Sequence, residues 1–228
     1  MLRLEGCVIR AGEFELRADL AVQKGRRVAV IGPSGGGKTT LLEAVAGFIR
    51  PVEGRITWEG RDLGPLAPGA RPVAMLFQEG NLFPHLTAAQ NVGLGLAPRL
   101  AMAGDARVTQ ALGRVGLAGL ERRQPSEMSG GQRARVALAR VLVQRRDLLL
   151  LDEPFAALGP ALRAEMLDMV ADLAAETGAT VLMVSHHPDD ARRIADEVIV
   201  VAEGRAAPPV ETRALFADPP PVLRRYLG

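Results

Sequence analysis

Val28-Ala29-Val30-Ile31-Gly32-Pro33-Ser34-Gly35-Gly36-Gly37-Lys38-Thr39-Thr40 is the stretch from which the rest of the chain is read. Four apolar residues lead into a glycine-rich turn, and beyond it Leu41, Leu42, Val45 and Ala46 recur at helical spacing until Gly47 and Pro51 stop the helix. Gly32 to Thr39 fits G-x-x-x-x-G-K-[ST] in the context the pattern requires, between a strand and a helix N-terminus. Glycines there let backbone N–H groups approach an anion, and the helix dipole adds positive potential. Lys38 is placed to reach the β- and γ-phosphates of a nucleotide, and the Thr39 hydroxyl to ligate Mg²⁺. A chance Lys-Thr after a flexible turn fits less well, because Lys38 is one of only two lysines, with Lys24, among 28 basic residues.

Working outward, strands are predicted at Leu2 to Ile9, Phe14 to Val22, Arg55 to Trp58 and Val73 to Phe77. Between residues 87 and 145 the periodicity turns helical, as at Val108, Leu112 and Val115 and again at Val136, Leu138, Ala139, Val141 and Leu142. The α/β alternation then resumes: strand from Asp147 to Leu151, helix from Ala161 to Thr177, strand from Thr180 to Ser185, helix from Asp189 to Ala195, strand from Glu197 to Val201. The expected fold is one α/β domain over 1–228, with a mixed or parallel sheet and an antiparallel β subdomain at its start. The nucleotide-binding core is expected in 1–86 and 146–228, and an inserted helical subdomain in 87–145. Pro208-Pro209 and Pro219-Pro220-Pro221 punctuate what reads as a short tail, with no second domain expected.

With 228 residues, 48% of them hydrophobic, the chain buries a real core, which argues against disorder. A net charge of +2 from 28 basic and 26 acidic residues points away from nucleic acid. Cys7, alone, forms no internal disulfide, implying a reducing compartment. Apolar runs such as Leu148 to Leu151 or Val198 to Ala202 are too short to span a bilayer, so a membrane connection is expected to run through a partner.

Three further groups carry chemistry. Leu148-Leu149-Leu150-Leu151-Asp152-Glu153 delivers two carboxylates at a strand's C-terminal end, where ligands of open α/β sheets bind. Asp152 suits a Mg²⁺ shell, and Glu153 is placed to polarise an attacking water; two acids at a strand end are also a common surface feature. Ser129-Gly130-Gly131-Gln132-Arg133 opens a helix from about Gln132 to Gln144 and is a second anion-binding device. One chain needs only one for its nucleotide, which suggests half-sites completed between two copies; alone, the pentapeptide reads as a capped helix start. His186 follows the apolar run Val181 to Ser185, and a lone histidine after a strand is more often a surface residue.

In order, the phosphate loop, Gln78, Ser129-Gly-Gly-Gln, Asp152-Glu153 and His186 resemble an ABC-transporter ATPase over essentially the whole chain. The resemblance implies two copies packed head to tail, each ATP lying between Lys38 of one and Ser129, Gly131 and Gln132 of the other. It implies that Gln78 senses Mg²⁺ and water, and that His186 contacts the γ-phosphate and holds the water of Glu153. The segment from Arg71 through Gln78 to Thr87, with Gln90 to Pro98, is similar to the ATPase subunits of bacterial thiamine importers. Sulfate and polyamine importers usually append a C-terminal regulatory domain, which is not expected here. That implies integral membrane permease subunits docked after Gln78, with exposed apolar residues expected at Leu82, Phe83 and Leu86, an indirect periplasmic solute-binding protein, and a peripheral place on the cytoplasmic face of the bacterial inner membrane. Alternatives are a sulfate, polyamine or iron importer, or a non-transport ABC scaffold. Three positions depart from the family. Gly159 stands where an aspartate usually aligns the facing site, implying weaker communication between sites. Near Ala11 the usual adenine-stacking aromatic is missing, with Phe14 a possible substitute, implying poor discrimination among nucleotides. Met128 replaces a leucine, a swap that conserves volume.

Overall fold

The computed structural model describes residues 1–77, 81–97 and 100–227. Its first half comprises β1 (Leu2–Ala11), β2 (Phe14–Val22), β3 (Arg27–Ile31), α1 (Lys38–Ala46), β4 (Glu53–Trp58), β5 (Arg61–Asp62), β6 (Val73–Leu76), α2 (Ala88–Gly93) and α3 (Ala106–Arg114). There follow α4 (Gly130–Leu142), β7 (Leu148–Asp152), α5 (Pro160–Thr177), β8 (Thr180–Val184), α6 (Pro188–Ile194), β9 (Glu197–Ala202), β10 (Arg205–Ala206), β11 (Val210–Glu211), α7 (Thr212–Ala217) and α8 (Pro221–Leu227). The α/β fold expected from the sequence is the one observed.

β6, β7, β8, β3 and β9 lie side by side and all run parallel. β7 and β8 are buried at every position, as strands covered on both faces must be, which is why they read as unbroken apolar runs. Because β3, β8 and β7 are neighbours in one direction, the segments that follow them emerge along the same sheet edge. That edge receives Lys38, His186 and Glu153.

The antiparallel part, β5-β4-β1-β2, joins this sheet through β10, which pairs parallel to β2 and antiparallel to β9. Here the expectation of a short tail is corrected: β10, β11, α7 and α8 belong to the fold, and Leu215 and Leu223 are buried beside Ile31 and Val198. Two-residue strands carry no period, so sequence patterning misses them. The hairpin before β10 does have a local signal, since Glu203 and Gly204, at φ 50° and 69°, form the left-handed pair that a two-residue turn between twisted strands requires. β6 also stops one residue short of the expected Phe77.

Helices α2, α3 and α4 bury Val92, Val108, Leu112, Val136 and Leu138 in a cluster that continues into Leu149 and Leu151 of β7 and Val170 of α5. α1 covers the opposite face with Leu41, Leu42 and Val45. Its C-terminal end is held by Arg71, which is 1% exposed and donates from Nη1 to the carbonyls of Ala44 and Val45 at 2.8 Å each. A helix end leaves its last carbonyls short of partners, and here the Ala44 carbonyl also accepts from the Gly47 amide at 3.2 Å.

Of the three apolar residues expected to be exposed, Leu86 is buried, Leu82 packs against the core and only Phe83 is open, at 46%. The loop carrying them is organised by Asn91, fully buried, whose Nδ2 donates to the carbonyls of Phe83, Leu86 and Thr87 while its Oδ1 accepts from the Phe83 amide.

Candidate functional site

The loop from Gly32 to Gly37 connects β3 to α1, and Gly37 shows why its residues are small. Its φ is 102°, and a Cβ there would stand 2.8 Å from two ring carbons of Phe14. The Phe14 ring therefore presses the β1–β2 turn against the loop. Lys38 is 5% exposed and donates from Nζ to the carbonyls of Gly32 and Pro33 at 3.0 and 2.9 Å. Burial lowers the pKa of its ammonium, and the charges of Glu153 and Asp152 oppose that shift.

Across the cleft, Asp152 closes β7 and accepts a hydrogen bond from Thr39 Oγ1 at 3.2 Å. Burial raises its carboxyl pKa above the ordinary value, partly offset by the Thr39 bond. Glu153 leaves the strand at φ 46°, a left-handed conformation uncommon for a residue with a side chain, and its amide donates to the Val184 carbonyl at 3.1 Å. Its Oε1 lies 2.5 Å from His186 Nε2. Backbone strain of this kind costs about 1–3 kcal/mol and clusters at functional sites; here it accompanies the pairing of the carboxylate with the imidazole.

These groups enclose a cleft of about 270 Å³. Ser34, Gly35, Gly37, Lys38, Thr39 and Thr40 form one wall, Glu153 and His186 the other, and Ala11 and Phe14 the rim. Thr39 Oγ1 and Asp152 Oδ1, 3.2 Å apart, offer two hard oxygens, a donor set that fits a small cation sharing its shell with water and phosphate.

Ser129 to Gln132 are not in that cleft. They open α4, where Ser129 Oγ accepts from the Gln132 amide at 3.2 Å and Gln132 Oε1 accepts from the Ser129 amide at 3.0 Å, a reciprocal capping box. Gly130 is exposed, and a Cβ on Gly131 would come 2.4 Å from Leu162 of α5. Gln78 lies outside the described residues. Gly159 caps α5 with an ordinary backbone, and nothing stands within 4 Å of where its Cβ would be, so no local crowding demands glycine.

Residues 17–156 match the family described as ABC transporter. The chain belongs to the ABC transporter family. Among its ABC relatives, the thiamine import ATP-binding protein ThiQ of Cereibacter sphaeroides is 64% identical, with 100% of both chains covered. ThiQ of Ruegeria sp. is 61% identical over the same shares, and ThiQ of Mesorhizobium japonicum 50%, covering 100% of this chain and 91% of its own. A solved ABC structure, the dimeric post-hydrolysis state of the ATP-binding cassette MJ0796 bound to ADP and Pi, is 27% identical with a TM-score of 0.79, covering 93% of this chain and 99% of that one.

Sequence reading did not find the contacts behind His186. Ser185, Asp190 and Arg163 form a polar cluster there, and no motif announces it, because the three residues come from a strand end, α6 and α5.

Proposed function

We propose that the chain binds and hydrolyses ATP as the motor subunit of a bacterial ABC importer for thiamine or its phosphates. The observation that carries the catalytic part is the 2.5 Å Glu153–His186 pair facing Lys38 across one cleft. The solute is supported by full-length similarity to thiamine import ATP-binding proteins.

In this reading the triphosphate lies on the amides of the loop and the N-terminus of α1, and Lys38 neutralises the β- and γ-phosphates. Thr39, Asp152 and Gln78 would hold Mg²⁺, which would supply charge neutralisation to the phosphates. Glu153 accepts a proton from water as the water oxygen bonds to the γ-phosphorus and the bond to the β-phosphate oxygen breaks. His186 orients that water and the γ-phosphate. Ala11 and Phe14 give the base only a thin rim, which supports weak discrimination among nucleotides.

Ser129, Gly130, Gly131 and Gln132, outside their own cleft, complete that of a second copy. Membrane subunits dock beside the segment after Gln78, where Phe83 is exposed and Phe48, 54% exposed, sits 5.9 Å ring to ring from Phe77. No helix among the described residues is long and apolar enough to cross a membrane, in keeping with a peripheral subunit on the cytoplasmic face.

Glu153→Gln tests both halves. It is expected to bind ATP normally, to lose at least about 100-fold in turnover, and to fail to restore labelled thiamine uptake in a strain lacking the gene. Retained turnover rejects the role of Glu153, and normal thiamine uptake without the gene rejects the solute.

A further inference from the structure

His186 must present Nε2 to Glu153, yet its ring is not packed on all sides. A cavity of about 20 Å³ lies among Glu153, Ser185, His186 and Asp190, close to the volume one water needs. The backbone turn that carries the imidazole contributes to its direction. Ser185 brackets that turn. It is 4% exposed, its Oγ accepts from the His187 amide at 3.0 Å, and the same hydroxyl donates to Asp190 Oδ2 at 2.5 Å. Asp190 stands in the first turn of α6, and its own amide donates to the His187 carbonyl at 3.1 Å. Its other oxygen, Oδ1, faces Arg163 Nη1 of α5 at 4.0 Å, with side-chain exposures of 16% for Arg163 and 13% for Asp190. Arg163 Nε is buried without a protein partner, so the guanidinium has no competing anchor at that atom.

We propose that Asp190 is a positioning residue for ATP hydrolysis: it orients the Ser185 hydroxyl, which in turn fixes the His186 turn at the distance Glu153 requires. Asp190 does not line the cleft itself. Its effect passes through a hydroxyl and a backbone turn. The inference rests on the reading that His186 acts with Glu153.

Steady-state hydrolysis by purified full-length chain tests it, using Ser185→Ala, Asp190→Ala, Asp190→Asn, the Ser185→Ala/Asp190→Ala double variant and His186→Ala. Misplacing a catalytic group by even 1 Å is costly, so Ser185→Ala and Asp190→Ala are each expected to lower kcat about tenfold while KM for ATP stays within about twofold. Two residues acting through one hydrogen bond are not additive, so the double variant is expected to match either single one. Asn keeps an oxygen acceptor for Ser185, so Asp190→Asn is expected to recover most of the rate. A kcat unchanged in both alanine variants, a KM rising in step with the loss, an Asn variant as slow as the Ala variant, or a double variant showing the product of two separate losses would each overturn the proposal. Full turnover in His186→Ala overturns the underlying reading instead, and so separates the two failures.

Discussion

Asp152 shows what the site costs the fold. Burial raises its pKa, so the native site favours the protonated carboxyl more than water does. The sign follows from proton binding. Between the ordinary carboxylate pKa and the raised native one the folded state binds more protons than the unfolded state, and stability falls as pH rises through that window. Asp152→Asn is therefore expected to raise the melting temperature of the nucleotide-free chain at neutral pH, with the gain shrinking as pH falls towards the ordinary carboxylate range. Thermal melts across pH check this, and a variant less stable at neutral pH contradicts it. The acid was legible in the sequence because an apolar strand ending in two carboxylates is a local pattern. The contact between Glu153 and His186 was not, since spacing along the chain does not show that two strand ends become neighbours. The family resemblance implied only that His186 holds the water of Glu153; the direct 2.5 Å approach of the two side chains is seen in the fold.

Elements were legible in proportion to their length and periodicity. β7 and β8, five residues each with four of them apolar, were readable, whereas β5, β10 and β11, two residues each, were not. Arg71 escaped for another reason: a basic residue before Pro72 reads as surface, and only the fold reveals that it seals the C-terminal end of α1. Arg71→Met keeps the bulk and removes the donor to the Val45 carbonyl, while the Ala44 carbonyl keeps the Gly47 amide. Unsatisfied buried acceptors cost about 1–3 kcal/mol, so denaturant unfolding should show a loss of about 2 kcal/mol. A midpoint unchanged within error would mean that other donors take over the helix end. Because α1 begins at Lys38, loosening it is also expected to weaken ATP binding.

For the whole molecule, the decisive feature is that the cleft and the capping box of α4 do not meet within one chain. If each cleft is completed by a second copy, specific activity is expected to rise with protein concentration and level off once pairs saturate, a mass-action dependence that a self-sufficient monomer lacks. Hydrolysis per chain that stays constant over a 100-fold dilution, an interval broad enough to cross a typical weak dimer affinity of about 1 μM, would place the complete site in one chain. One feature of the phosphate loop has a use outside catalysis. The chain offers three amines to a labelling reagent: the Met1 amino group, Lys24 and Lys38. Lys24 is open at 52% of its side chain, while Lys38 lies 5% exposed on the cleft wall. Nearly all the remaining positive charge is arginine, which such reagents pass over, so the loop lysine can be followed as a single reporter against two reference amines without introducing a mutation.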